Sequence, residues 1–277
     1  IPFAISAHAK DIWTIPDWEK SEKLDDCEWC VTCTKKGHAE LSARASNPAK
    51  VHLVYHGIDL SRFPATRRRF ARDGTKADDP VRIIAVGRAV AKKGLDTLLE
   101  ALALLPADFS WRLTHIGGGP LRAELVAQAN RLGIGDKCEF AGALPQEAVL
   151  DAYRASDFFV LPCRIDADGD RDGLPNVVME AQSQGLAVVT TPVSGAPELI
   201  EDGVNGVFVE PDAPAELARA VERLGRAPDL RSRMGGAGQK RLHAQFDHHG
   251  AIEGLLSLMS SAVSRKSRKP EPAGAAR

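Results

Sequence analysis

The sequence predicts an α/β protein on parallel sheets, split between a short first unit and a larger second one wound with helices on both faces. Three observations predict it. Short apolar runs alternate with segments of helical periodicity along most of the 277 residues, and strand-helix alternation is the signature of a parallel sheet. The alternation becomes regular after Val81, where six strand-like runs follow one another, whereas about three precede it, too few for a free-standing doubly wound domain. Between the two lies a polar, charge-dense, aperiodic stretch, 61–79, with the composition of an inter-domain linker.

Each element has its own signal. The apolar run at 1–8 ends at His8 and is followed by a polar, Trp-containing segment to about Asp26 that reads as loop and helix. Residues 28–34 carry β-formers, 35–45 read as a helix, and Val51-His52-Leu53-Val54-Tyr55 is a third strand closed by His56-Gly57-Ile58-Asp59. Beyond the linker, Val81-Arg-Ile-Ile-Ala-Val86 is closed by Gly87, and Leu95, Leu98, Leu99, Leu102 and Leu105 keep helical spacing up to Pro106. Strands follow at 111–116, 138–142, 157–161, 187–191 and 207–209, with a helix opened by Pro120 and closed by Gly133, another over 146–155, and a short one near 197–200. The C-terminal part reads as helical, with Leu217, Ala220, Val221 and Leu224 on one face, a helix over 230–246, and a last apolar stripe of Ile252, Leu255, Leu256 and Met259. Such stripes signal core packing first and partner surfaces second. The tail 264–277, rich in Lys, Arg, Pro and Ala, is expected to be disordered.

Composition narrows the function classes. With 44% hydrophobic residues the chain can build cores, and a formal net charge of -1 removes the broad electrostatic reason to expect a nucleic-acid partner. No run approaches the roughly 18 apolar residues of a membrane span, and the start lacks the basic segment of a signal peptide, so a cytoplasmic location is expected. Five cysteines argue against a disulfide scaffold. Cys27, Cys30 and Cys33 have a CxxCxxC spacing, but period-2 alternation sends Cys30 and Cys33 to opposite faces of a strand, so no metal site is expected there. Cys138 and Cys163 read as small buried hydrophobes.

In an open parallel sheet, ligands bind beyond the carboxyl ends of the strands, so the loops after strands carry the candidates. Gly87-Arg88-Ala89-Val90-Ala91-Lys92-Lys93-Gly94 joins a strand to a helix start near Gly94. A helix N-terminus favours anions, Arg88 can grip phosphate with two hydrogen bonds, and Lys93 adds a point charge, so a diphosphate fits. The loop lacks the GxxxxGK[ST] spacing of a nucleoside-triphosphate loop. Gly117-Gly118-Gly119-Pro120 departs from the GxGxxG fingerprint at Arg122, which argues against a nicotinamide enzyme, while three glycines still let a ligand approach backbone. The acidic run 166–173 nearly matches a calcium loop but has Met179 where the twelfth-position Glu is needed, and its DxD tripeptide Asp166-Ala-Asp168 is common by chance; a solvated loop is expected for 166–170. The Arg67-Arg68-Arg69 run reads as solvated surface. Asp172-Gly173-Leu174-Pro175-Asn176-Val177-Val178-Met179-Glu180 then places two carboxylates on either side of a helix start, a grip suited to a ligand with several hydroxyls.

These residues together resemble the retaining glycosyltransferases of the GT-B fold, family 4. The carriers are Ser6-Ala7-His8-Ala9-Lys10-Asp11-Ile12, Tyr55-His56-Gly57-Ile58-Asp59, Gly87-Arg88 through Lys93-Gly94, Gly117 to Pro120, Phe140-Ala141-Gly142, Asp172 to Glu180, and Gly195-Ala196-Pro197-Glu198 with Asp202-Gly203-Val204-Asn205-Gly206. The pattern looks most like members that build bacterial exopolysaccharide or capsule. The resemblance implies a GT-B fold with a partial N-terminal Rossmann-like domain, acceptor-side, over 1–60, a linker at 61–79, a complete C-terminal nucleotide-sugar-binding domain over 80–246 and a helix over 247–263.

It implies a reaction as well: transfer of a hexose from a UDP- or GDP-linked sugar to a glycan or lipid-linked acceptor, with retention, by front-side attack, without metal or cofactor. Arg88, Lys93, Asp172 and His8 would be the catalytic residues. The donor would be held by Gly87, Arg88, Lys93, Gly118, Gly142, Leu144, Asp172, Gly173, Leu174, Pro175 and Glu180, with Glu180 on the ribose, Asp172 on the transferred sugar and the backbone of 140–144 at the base. A lipid-linked acceptor leaves room for peripheral contact with the inner membrane surface on its cytoplasmic face. Two departures are visible. The family usually has Glu where this chain has Asp172, and its N-terminal domain would begin roughly 100 residues before Ile1, taking most of the acceptor site with it. The alternative is a non-catalytic nucleotide-sugar-binding module.

Overall fold

The computed structural model describes residues 3–64 and 71–267. The Arg67-Arg68-Arg69 run and residues 268–277 lie outside that description. Strands β1 (Ile5–Ala7), β2 (Cys30–Thr32) and β3 (Val51–Leu53) pair in parallel in that order, connected through helices α1 (Lys10–Trp13), α2 (Asp17–Asp26) and α3 (Lys35–Arg44). The local chemistry sets α3: Thr34 Oγ1 accepts the Gly37 amide at 3.0 Å, the hydrogen bond of an N-cap. Because β2 is buried on both faces, its neighbouring cysteines part: Cys27 and Cys30 join a small core with Ile12, Leu24 and Leu41, whereas Cys33 joins the main core of the second unit. All five cysteines are free thiols.

The second sheet contains β4 (Val81–Val86), β5 (Trp111–Ile116), β6 (Cys138–Gly142), β7 (Phe158–Leu161), β8 (Ala187–Thr190) and β9 (Gly206–Phe208), all parallel, in the order β6-β5-β4-β7-β8-β9. Counted from its own first strand this is 3-2-1-4-5-6, the doubly wound order that follows when right-handed crossovers run first to one side of β4 and then to the other. The crossovers are α4 (Leu95–Ala103), α5 (Arg122–Arg131), α6 (Gln146–Ala155), α7 (Asn176–Ser183) and α8 (Ala196–Leu199). Helices on both faces bury the central strands, so β4, β7 and β8 read as near-continuous apolar runs, with Ile83, Ile84, Phe158, Phe159, Val188 and Val189 inaccessible. Helix α9 (Pro214–Arg226) buries Leu217, Val221 and Leu224 as its spacing predicts. Helix α10 (Pro228–Gln245) is continuous through its three glycines.

The chain then crosses back. Ile58 donates to the Phe246 carbonyl at 3.0 Å and accepts from the His248 amide at 3.2 Å, and Tyr55 meets the Phe246 ring edge-on at 5.2 Å. Helix α11 (His248–Ser267) follows. Two expectations fail here. The stripe of α11 is not core: Ile252, Leu256 and Met259 are 46%, 56% and 50% exposed. Helical periodicity groups residues on a face but does not supply a neighbour to cover it. The helix also runs through Ser267, into the tail expected to be disordered. Among the described residues, no helix is long and apolar enough to cross a membrane.

The described part of 61–79 is also less solvated than its composition suggests, since Phe63 is buried and Arg72 reaches inward to Asp157. Asp157 accepts the Arg82 amide at 2.8 Å and faces Arg72 Nη1 at 3.4 Å and Arg231 Nη2 at 3.7 Å. Burial pushes this carboxyl up against the pull of those partners. Removing it takes a carboxylate partner from two largely buried guanidiniums, of which Arg72 keeps Asp79 at 2.6 Å, and loss of one partner from a buried ionic group costs about 3–5 kcal/mol. Asp157→Ala is therefore expected to lower the urea midpoint by a corresponding amount; an unchanged midpoint would show that Asp157 does not anchor this segment.

Candidate functional site

Strand β4 lies between β5 and β7, so the loops leaving β4, β5, β6 and β7 gather at one end of the sheet. They meet backbone to backbone. The Gly118 carbonyl accepts from Ala89, and the Gly142 carbonyl accepts from Gly117, both at 2.8 Å. A Cβ on Gly117 would stand 1.9 Å from the Gly87 carbonyl oxygen, so only glycine lets the two loops close. His115 adds a ring hydrogen bond to the same carbonyl at 3.0 Å. Gly87, Gly118 and Gly142 are thereby brought to one floor, with Leu144 exposed at its rim.

The cations of the first loop divide. Arg88 is exposed, and its side chain has no hydrogen-bond or ion-pair partner among the described residues. Lys93 is 9% exposed, and its ammonium donates to Asp172 Oδ2 at 2.5 Å. Burial opposes ionisation of Asp172, but Lys93 and then Lys92 outweigh it and hold the carboxyl below its ordinary value. Lys92, which the sequence reading passed over, is 6% exposed, 3.1 Å from Asp170 and 3.5 Å from Asp172 Oδ1. This corrects the expectation that 166–170 is solvated throughout: Asp170 is 6% exposed because a buried ammonium faces it.

The Asp172 loop also meets the first unit. A Cβ on Gly173 would lie 2.6 Å from the His8 carbonyl oxygen and 3.3 Å from Cys33 Sγ, so glycine here lets the strand end and the loop touch. His8 is half-buried; its Nε2 is 2.7 Å from Ser6 Oγ, Asp11 accepts its amide at 2.7 Å, and its Nδ1 is buried without a partner among the described residues. The His56 ring lies 6.1 Å away, its pKa lowered by burial and then by His8. Leu174 is anchored in the core and Pro175 precedes the first turn of α7.

Glu180 stands apart from the lysine pair. It lies on α7, where the hydroxyl of the fully buried Tyr153 donates to Oε2 at 3.1 Å, a partner the sequence reading missed. A second missed contact is that of Glu198 of α8, a motif residue given no role from sequence, which accepts the Lys35 amide at 2.7 Å and the Tyr55 hydroxyl, joining the two units. Neither was legible, because each joins residues far apart in the chain. Among the described residues, Asp247, His248 and His249 come within metal-ligand reach of one another, and Cys27, Cys30 and Cys33 do not.

Residues 66–241 match the family described as Glycosyl transferases group 1. The chain belongs to that family. Among curated relatives it is similar to the lipopolysaccharide core biosynthesis glycosyltransferase LpsE of Rhizobium meliloti (strain 1021), 31% identical over 84% of this chain and 64% of the relative. The amylovoran biosynthesis glycosyltransferase AmsK of Erwinia amylovora is 31% identical over 79% of this chain and 53% of the relative. The chain thus spans less than two thirds of the length of both. Its fold is similar to that of Anabaena Alr3699/HepE, solved in complex with UDP, with a TM-score of 0.79 at 19% identity over 94% of this chain and 72% of that one. The fold of this glycosyl transferases group 1 member is GT-B, as expected from its motifs.

Burial raises the pKa of Glu180, with the Tyr153 hydroxyl opposing. A carboxyl whose folded value is raised contributes stability below the unfolded value of 4.5 and loses it as pH rises through the folded value. Glu180→Gln keeps the acceptor for Tyr153 and removes the buried charge. The variant is expected to melt above the parent chain at pH 7, with the difference vanishing below pH 4.5; a difference independent of pH would show that Glu180 is not strained by burial.

Proposed function

We propose that this chain is the donor-binding part of a retaining family 4 glycosyltransferase that moves a hexose from a UDP- or GDP-linked sugar to a glycan or lipid-linked acceptor in surface polysaccharide biosynthesis. The observation that carries the reading is the combination of an exposed Arg88, whose side chain is unpartnered among the described residues, with a buried Lys93 whose counterion, Asp172, belongs to the other loop of the switch point. Arg88 and Lys93 hold the diphosphate there and stabilise the charge that grows as it leaves. Glu180 binds the ribose hydroxyls, Asp172 the transferred sugar, and the backbone of 140–144, with the Gly142 carbonyl and Leu144, borders the base.

In the reaction the acceptor hydroxyl attacks the anomeric carbon on the face from which the diphosphate departs. The bond from that carbon to the phosphate oxygen breaks, the departing oxygen takes the hydroxyl proton, and configuration is kept without a metal. His8 borders the reacting sugar from the first sheet, which is the acceptor-side part of the enzyme, and 61–79 is the linker. The names of the relatives, which concern lipopolysaccharide core and amylovoran, support the surface-polysaccharide reading, and a structural neighbour solved with UDP-glucose supports a nucleotide-sugar donor. With a lipid-linked acceptor the enzyme works at the cytoplasmic face of the inner membrane.

A thermal-shift panel of UDP, GDP, ADP and their sugars is expected to single out UDP or GDP as stabilising. Arg88→Ala and Lys93→Ala should each weaken that nucleotide roughly 10- to 100-fold, as expected for loss of a charge-assisted hydrogen bond. Affinity unchanged in the double variant would sink the phosphate grip.

A further inference from the structure

We infer that Lys92 and Asp170 are a positioning pair that keeps the Asp172 carboxylate on the transferred sugar once a diphosphate has taken Lys93; this rests on the donor-site reading above. Four charges are confined here, two ammoniums and two carboxylates, with Lys92, Lys93 and Asp170 each less than a tenth exposed. Confining them costs desolvation that mutual attraction only partly returns, so the arrangement is weak as a stability device. It is specific as a geometric one. Each oxygen of Asp172 has its own lysine: Oδ2 lies 2.5 Å from Lys93 and Oδ1 3.5 Å from Lys92. The Cys163 thiol adds a contact to Oδ2 at 3.5 Å.

The two lysines are not equivalent. Lys93 sits under Gly87, whose Cβ, if present, would lie 3.4 Å from Lys93 Cε, on the loop where the diphosphate is placed. Lys92 is turned the other way, to Asp170 Oδ1 at 3.1 Å, and its carbonyl accepts the Arg164 amide at 2.9 Å. Asp170 is itself fixed: its amide donates to Asp168 at 2.8 Å, its carbonyl accepts from Asp166 at 2.8 Å, and the exposed Lys10 stands 3.8 Å from its other oxygen. A diphosphate arriving at Lys93 draws that ammonium off Oδ2 and places like charge beside Asp172. Without a second cation the carboxylate would swing away from the phosphate and lose the sugar. Lys92, held by Asp170, retains Oδ1 and leaves Oδ2 free for a sugar hydroxyl. An aspartate, one methylene shorter than glutamate, has little reach of its own to correct such a displacement.

The predicted signature is a split between nucleotide and nucleotide-sugar. Titration calorimetry on the 277-residue chain would compare UDP with UDP-glucose, and GDP with GDP-mannose in parallel. Lys92→Met is expected to leave the free nucleotide within about twofold and to weaken the matching nucleotide-sugar about tenfold or more. Lys92→Arg should recover most of that loss, whereas Lys93→Met should weaken nucleotide and nucleotide-sugar alike. Since Lys92→Met leaves Asp170 buried with one partner fewer, the Lys92→Met/Asp170→Asn double variant, which removes both charges, serves as the folded comparator and should show the same split. Equal losses for nucleotide and nucleotide-sugar, or none for either, in the double variant overturn this inference alone. Absence of any nucleotide binding by the unsubstituted chain overturns the donor-site reading and this one with it.

Discussion

The position of β4 between β5 and β7 is the constraint on which the site depends. A parallel strand needs a long crossover to its partner, and in this sheet the first crossovers run to one side of β4 and the later ones to the other. The loops leaving β4 and β7 diverge to helices on opposite faces, so a crevice opens between them at the carboxyl edge of the sheet. Lys92 and Lys93 come from one of those loops and Asp170 and Asp172 from the other, some 80 residues on in the chain. No local sequence preference could bring them together; the strand order does.

That crevice is held by charge as much as by shape. The buried lysines and aspartates compensate one another, while Arg88 projects outward without a partner among the described residues. A site with one cation free and one provisionally paired differs from a plain basic patch. An incoming anion meets Arg88 unopposed but must compete with Asp172 for Lys93, so affinity is moderated by an internal acid that also has work to do on the sugar. Binding energy is thereby coupled to release of the carboxylate.

How far this could be read without coordinates depended on the kind of signal. Strands β4 and β5 coincide with the apolar runs that announced them, because strands buried on both faces are written as unbroken hydrophobic stretches. That Asp172 and Glu180 could grip hydroxyls was suggested by their spacing across a helix start, which is local; which of them takes the ribose and which the sugar was implied only by the resemblance. Lys92 and Lys93 are adjacent and chemically alike, and nothing in a one-dimensional reading separates the one that faces Asp170 from the one under Gly87. Asp170 looked solvated because acidic loops usually are; its burial follows from a lysine met only in three dimensions. The α11 stripe erred in the opposite sense: Ile252, Leu256 and Met259 do share a face, but what lies against a face is a tertiary fact.

The return of the chain at Ile58 gives the two units a mechanical relation that neither sheet has alone. Polypeptide passes between them twice, once after Asp59 on the way out and again at Phe246 and Asp247 on the way back, and the second passage is pinned to the first by the Ile58 hydrogen bonds. The seam at Ile58 is one of several contacts between the units, since Gly173 also closes on His8 and Glu198 on Lys35 and Tyr55. Ser6 and His8 stand on one unit and Glu198 on the other, and the Glu198 hydrogen bonds to Lys35 and Tyr55 must break before the units can part on that side.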